Sequence, residues 1–130
     1  MGEFQFGHSA PNRTPAIVVA IPPGIATKNA LLEQVASLLD FPEYYGVNWD
    51  AFEECMRDLS WLPPGIVRLV HEDLPLDGDP KGQAIYAAIL AGAIDKHRAS
   101  GSAEDRDLEI VFPVGARDRV ELLLRGSGRQ

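Results

Sequence analysis

A single cysteine in 130 residues, Cys55, has no partner for an internal disulfide, which excludes a disulfide-stapled scaffold and suits a reducing compartment. Histidine is almost as sparse. His8, His71 and His97 lie far apart, and none has a cysteine or a second histidine at ligand spacing, so neither a metal cluster nor a cofactor is expected. Basic residues are scarce relative to acidic ones, 12 against 19, for a formal net charge of −7. That balance argues against nucleic acid as a partner and for a cationic one or none that is charged. No apolar run is long enough to span a membrane, no segment repeats, and the first fifteen residues lack the basic-then-apolar order of a signal peptide. The expectation is one cytoplasmic domain, large enough to bury a sizeable core, that meets neither membrane nor nucleic acid.

What is present reads as strands alternating with helices. Residues 16–21, AIVVAI, are continuously apolar and β-branched, as in a strand covered on both faces, and Pro22-Pro23-Gly24 ends it. Thr27 has the chemistry to cap a first helix, with Ala30, Leu31, Val35, Leu38 and Leu39 on its buried stripe. A second helix is expected over residues 49–59, a second strand over 66–70, a third helix over 81–99 and a third strand over 108–114. Residues 119–124 are expected to pair antiparallel with the third strand as a hairpin, covering a sheet edge or exposing one through which the chain dimerises. The fold class is therefore a small α/β layer structure: three parallel strands with helices packed on them, and room for a fourth, antiparallel strand. Residues 1–15 form an N-terminal arm in which Phe4, Gln5 and Phe6 could make a short edge strand, 16–125 form the domain and 126–130 a flexible tail. The turn-rich residues 74–82 are the best candidate for a mobile loop. His71, Glu72 and Asp73, just past the second strand, are a polar strand exit or, less readily, a small site at the carboxyl end of a parallel sheet.

The chemistry concentrates in FPEYYGVNWDAFEEC, residues 41–55. Asn48 suits a helix N-cap, and Asp50 then falls in the first turn, where the helix dipole favours negative charge. Ala51, Phe52, Cys55, Met56 and Leu59 recur at the spacing of a buried face, so Cys55 reads as core rather than as a reactive thiol. Asp50, Glu53, Glu54, Arg57 and Asp58 fall on the other side. Asp50, Glu54 and Asp58 stack like charges at i, i+4, which costs about 0.2–0.5 kcal/mol per pair. By spacing alone the face reads first as a solvated one and second as a recognition surface, although a local rule broken without local gain often marks function. The adjacent Tyr44 and Tyr45 point to opposite sides of an extended segment, and Gly46 supplies either a positive φ or a close backbone approach. An aromatic beside a row of carboxylates suits a surface that meets a cationic partner.

PEYYGVNWDAFEEC resembles the signature of the barstar family, small intracellular inhibitors of secreted microbial ribonucleases, with Tyr-Tyr-Gly, Asn, Asp-Ala and Cys at the family spacing. The resemblance extends by layout over roughly residues 16–114 and implies the same α/β core. It implies that Tyr44 and the loop residues Gly46, Val47 and Asn48 contact a nuclease, that Asp50 joins them, and that Glu54 enters the active site where a substrate phosphate would lie. Glu53 stands where the well-known member of the family has an aromatic, the tryptophan appears instead at Trp49, and the family's last-helix contact acid falls at Asp95 or Lys96 and is not carried over. The partner so implied is a basic ribonuclease, which an acidic inhibitor is steered towards electrostatically. The alternative is a non-inhibitory binding or regulatory module, perhaps a homodimer built on the C-terminal strand. Catalysis by Asp50 and Glu54 is the least supported reading, because an exposed helix offers no desolvated pocket or metal to tune them.

Overall fold

A computed structural model describes residues 4–7, 14–42, 46–100 and 106–127. Its strands are β1 (Gln5–Phe6), β2 (Ile17–Ile21), β3 (Gly65–His71) and β4 (Arg106–Phe112); its helices are α1 (Lys28–Leu38), α2 (Trp49–Asp58), α3 (Pro80–Ser100) and α4 (Arg117–Ser127), the last entered through a 3-10 turn, Val114–Ala116. The strands form one parallel sheet in the order β1-β4-β3-β2. The α/β class with a parallel sheet is as expected, and Gln5-Phe6, in the segment expected as an arm, supplies a fourth strand that is parallel rather than antiparallel.

Register explains the two faces of the sheet. Val19 pairs with Leu69 and Leu69 with Ile110, so Ile17, Val19, Ile21, Val67, Leu69, Leu108, Ile110 and Phe112 share the face that meets the helices. All four helices bury residues in that one core: Leu31, Leu32 and Val35 from α1, Phe52 and Met56 from α2, Tyr86, Leu90 and Ile94 from α3, and Val120 from α4. On the opposite face Val18 pairs with Arg68 and Arg68 with Glu109, and Arg68 Nε donates to Glu109 Oε1 at 2.7 Å. β2 is thus not covered on both faces. It lies at the sheet edge with Val18 55% exposed, because β-branched residues suit a pleated strand whether or not both sides are buried.

The C-terminal segment is also corrected: residues 119–124 are not an antiparallel strand but part of α4, so this segment neither covers a sheet edge as a strand nor exposes a new one. Val120, Leu123 and Leu124 recur at i, i+3 and i+4, and Arg, Glu and Leu all favour helix. Val120 and Leu123 are buried while Leu122 is 55% exposed, a helical rather than alternating pattern. Arg117 pairs with Glu121 at 3.2 Å along the helix, and Arg119 donates to Gln83 Oε1 on α3 at 3.2 and 3.3 Å. Residues 74–82 are likewise anchored rather than loose. Leu76 is fully buried in a left-handed conformation, its N–H donates to Ile25 O at 2.8 Å, Gln83 Nε2 donates to Pro75 O at 3.1 Å, and Asp79 Oδ1 accepts from Gly82 N at 3.0 Å.

His71 lies inside the core at the end of β3. Its Nδ1–H donates to Val111 O at 3.0 Å, which leaves Nε2 to accept from the Tyr86 hydroxyl at 2.6 Å, and its ring stacks on Phe112 at 4.2 Å. Burial pushes its pKa down to about 4, the hydrogen bond to Val111 pulling weakly the other way, and pushes the Tyr86 hydroxyl upward. An unfolded chain takes up this proton near pH 6.5, whereas the folded chain resists until about pH 4. The stability tied to neutral His71 is complete above pH 6.5 and drains away as pH falls from there to about 4, a loss of about 3 kcal/mol. Imidazole resonances of His71 followed by NMR should stay in the neutral form down to about pH 4. Protonation near 6.5 in the folded chain would contradict the buried geometry. Tyr86→Phe, which strips Nε2 of its donor, should cost about 1–3 kcal/mol in denaturant unfolding.

Candidate functional site: the acidic helix and its rim

Helix α2 is set in place from three directions. At its entry, the Trp61 indole N–H donates to Leu39 O at 2.9 Å, and Phe41 packs edge-on against Trp61 at 5.6 Å and tilted against Phe52 at 6.2 Å, fixing where the chain leaves α1. At its start, Asn48 is the N-cap, extended at φ −150° and ψ 165°, with Oδ1 accepting from Ala51 N at 2.8 Å. Asn48 N also donates to Gly46 O at 2.8 Å, and a Cβ on Gly46 would come within 3.1 Å of Asn48 Nδ2. Gly46 therefore leaves room for a close approach, one made by the Asn48 side chain rather than by backbone. At its end, Leu59 turns left-handed and donates to Cys55 O at 3.1 Å.

Two neighbouring donors on α3 complete that end. His97 Nε2–H donates to Met56 O at 2.8 Å and the Lys96 ammonium to Arg57 O at 3.1 Å, serving carbonyls that the last turn of a helix cannot satisfy internally. Sequence reasoning missed this role. The only signal was the placement of a family contact at Asp95 or Lys96, which points to the neighbourhood but not to the bonds.

The buried side of α2 carries Phe52, Cys55 and Met56, with Phe52 stacked on Tyr86 at 5.8 Å. Trp49 packs against Phe52 at 6.1 Å and Tyr86 at 6.5 Å, so it braces the helix from the core side. The outward side carries Asp50, Glu53, Glu54 and Asp58, all exposed, and no described lysine or arginine forms an ion pair with Asp50, Glu53 or Glu54. Gly46, Val47 and Asn48 are exposed at the head of the same helix. The structure thus brings Gly46, Val47, Asn48, Asp50, Glu53 and Glu54 to one rim; Tyr44 lies outside the described residues. Asp95 is half-buried on α3. Beside Glu54 a groove of about 350 Å³ runs between α2 and α3, lined by Glu54, Cys55, Arg57, Asp58 and Lys96. The Cys55 thiol is buried, and its pKa is pushed up by desolvation and then by the negative charges of Glu54 and Asp58.

The three residues of the strand exit turn to different surroundings. His71 points into the core, Glu72 is exposed, and Asp73 Oδ2 accepts from Gly24 N at 2.9 Å. Among the described residues no group of three or more His, Cys, Asp or Glu side chains could hold a metal ion, and no helix is long and apolar enough to cross a membrane.

A small parallel α/β sheet presenting a capped acidic helix is the architecture in hand. The family model described as Barstar (barnase inhibitor) matches residues 16–112, about three quarters of the chain, and the chain belongs to the barstar family. The match runs from the residue before β2 to the last residue of β4, so β1 and α4 lie outside it. No curated protein and no solved structure matches the chain.

The geometry of the cap predicts its worth. Asn48→Ala should lower unfolding free energy by about 1 kcal/mol, whereas Asn48→Gly should cost only a few tenths, both read from denaturant midpoints. Cys55 should react with alkylating reagents at neutral pH far more slowly than a free thiol, and fast labelling of the folded chain would contradict its placement.

Proposed function

We propose that this chain is an inhibitor, not an enzyme, and that it binds a basic ribonuclease and blocks its active site with the acidic rim of α2 and the loop before it. Membership of a family described as a barnase inhibitor supports the class of partner. The observation that carries the mode of action is the exposure of Asp50 and Glu54, one turn apart and without cationic partners among the described residues, on a helix fixed at both ends. A nuclease site must grip phosphates with arginine, lysine or histidine, and carboxylates held at that spacing offer such a site two negative groups without a scissile bond.

In this reading Glu54 is the central probe, Asp50 a second anchor, and Gly46, Val47 and Asn48 the rim, with Tyr44 packing beside them. Glu53 faces the partner where the well-known member of the family has an aromatic, exchanging apolar contact for charge. Because the helix that carries them is fixed at both ends, binding has only the exposed carboxylate side chains left to order. The net charge of −7 adds long-range attraction to a basic surface, which acts on the association rate.

Glu54→Ala should weaken the complex with a basic ribonuclease by at least about 2 kcal/mol, the scale of a central interface anchor and one whose largest values come from a member of this family. Asp50→Ala should weaken it in the same direction. Calorimetry or surface-binding kinetics against barnase and related basic ribonucleases checks both. Wild-type affinity in both variants would refute this placement of the interface. Association should also slow as salt rises, while dissociation changes little.

A further inference from the structure

β2 is one edge of the sheet, with β3 on one side and no strand of the sheet on the other. Ile21 O accepts from Glu72 N just past β3, and Val19 shares that side by alternation, so Val18 and Ala20 turn their N–H and C=O groups outward. Among the described residues nothing bonds to those outward groups, and both residues are exposed. Sheets ordinarily blunt such an edge with a charge, a proline, a bulge or a very short strand. The far edge follows that rule, since β1 has only two residues. β2 has five, IVVAI, uncharged and free of proline. Charge is equally sparse around it. Residues 14–39, which hold β2 and α1, carry one cation and one anion, Lys28 and Glu33, in a chain whose net charge is −7.

We infer that β2 is a self-association surface: two copies pair β2 against β2, antiparallel about a two-fold axis at Val19, and join their four-stranded sheets into one. Pro15 and Pro22 have no N–H and bracket the strand, which confines the pairing to residues 16–21. About that axis Val18 stands opposite the second copy's Ala20, and the two exchange N–H···O bonds in both directions, as the hydrogen-bonded positions of an antiparallel ladder do. The two Val19 residues meet at the closer, unbonded position between them, and Val18 packs beside the second copy's Ala20 on the face away from the helices. Charge favours a second copy at this place. Copies of a chain at −7 repel each other over most of their surface, and the band around β2 and α1, without net charge, is where they can approach. The inference does not depend on the ribonuclease or on the acidic rim.

Sedimentation velocity of the full chain over a concentration series, at low and high salt, tests the pairing. A reversible dimer should appear and should tighten as salt rises, because screening removes the repulsion between two negative copies while the strand bonds stay. Pairing of the acidic rim with a second copy's cations would weaken instead. Val18→Lys brings in the charge that edges ordinarily carry and makes each copy less negative, so net charge alone predicts more dimer. The edge predicts less, with the dissociation constant raised at least about tenfold. Val18→Pro removes an outward N–H from each copy while Val19 and Ile21 keep their bonds to β3, and it should weaken the dimer as much. Leu122→Lys, on the exposed side of α4, should leave the dimer as it is. Thermal midpoints report whether each variant folds, and hydrogen exchange of the unaltered chain needs no variant: the Val18 and Ala20 amides should gain protection as concentration rises. A wild-type monomer up to the solubility limit, or a dimer that salt or Leu122→Lys dissolves, would overturn the inference. So would a dimer that a folded Val18→Lys leaves intact, or Val18 and Ala20 amides that exchange alike in dilute and concentrated solution.

Discussion

The burial of Phe52 is the constraint on which the rest of the molecule depends. Its ring is fully enclosed, stacked on Tyr86 of α3 and flanked by Phe41 and Trp49, and Tyr86 in turn is hydrogen-bonded to His71 at the end of β3. One aromatic chain therefore runs from the edge of the acidic helix to the carboxyl ends of β3 and β4. Because such a ring has no alternative seat in a close-packed interior, α2 cannot rotate about its axis without opening a cavity of several kcal/mol. Rotation is the motion that would hide the carboxylates. The direction in which Asp50, Glu53 and Glu54 point is thus a property of the core.

Along its axis the helix is fixed by polar groups instead. Asn48 satisfies an N-terminal amide, and His97 and Lys96 satisfy carbonyls at the far end, so both ends of a ten-residue helix are bonded to something outside it. This rigidity bears on the like charges at i, i+4. Spread along an exposed face they oppose helix formation by tenths of a kcal/mol, which capping and the burial of Phe52, Cys55 and Met56 readily offset. The repulsion persists as unneutralised negative potential, the quantity that a cationic visitor would discharge.

Much of this was legible in the sequence because it rests on local rules. Asn48 and Thr27 cap the helices expected of them, and the periodicity of Phe52, Cys55 and Met56 separates the buried side of α2 from its acidic side. The features that escaped are those decided by neighbours distant in the chain. AIVVAI is apolar enough for a central strand yet lies at the edge, since strand order is set by the crossovers rather than by the strand itself. RVELLLR satisfies both a helical and an extended pattern, and the surface of α3, with Gln83 waiting for Arg119, selects the helix. The loop after β3 has the composition of a free turn but is anchored by Leu76, which is driven into the core at the cost of a left-handed backbone. The donors Lys96 and His97 lie about forty residues from the carbonyls they serve, a pairing that no spacing rule reports.

Amide hydrogen exchange of the whole chain, free and saturated with a basic ribonuclease, tests the central claim most directly. If the acidic rim of α2 is the surface that meets the enzyme, protection should rise at residues 46–54 and along the α2–α3 groove, with the exposed edge of β2 and the outer side of α4 unchanged. Protection gained at β2 or α4 while residues 46–54 exchange as in the free chain would contradict it.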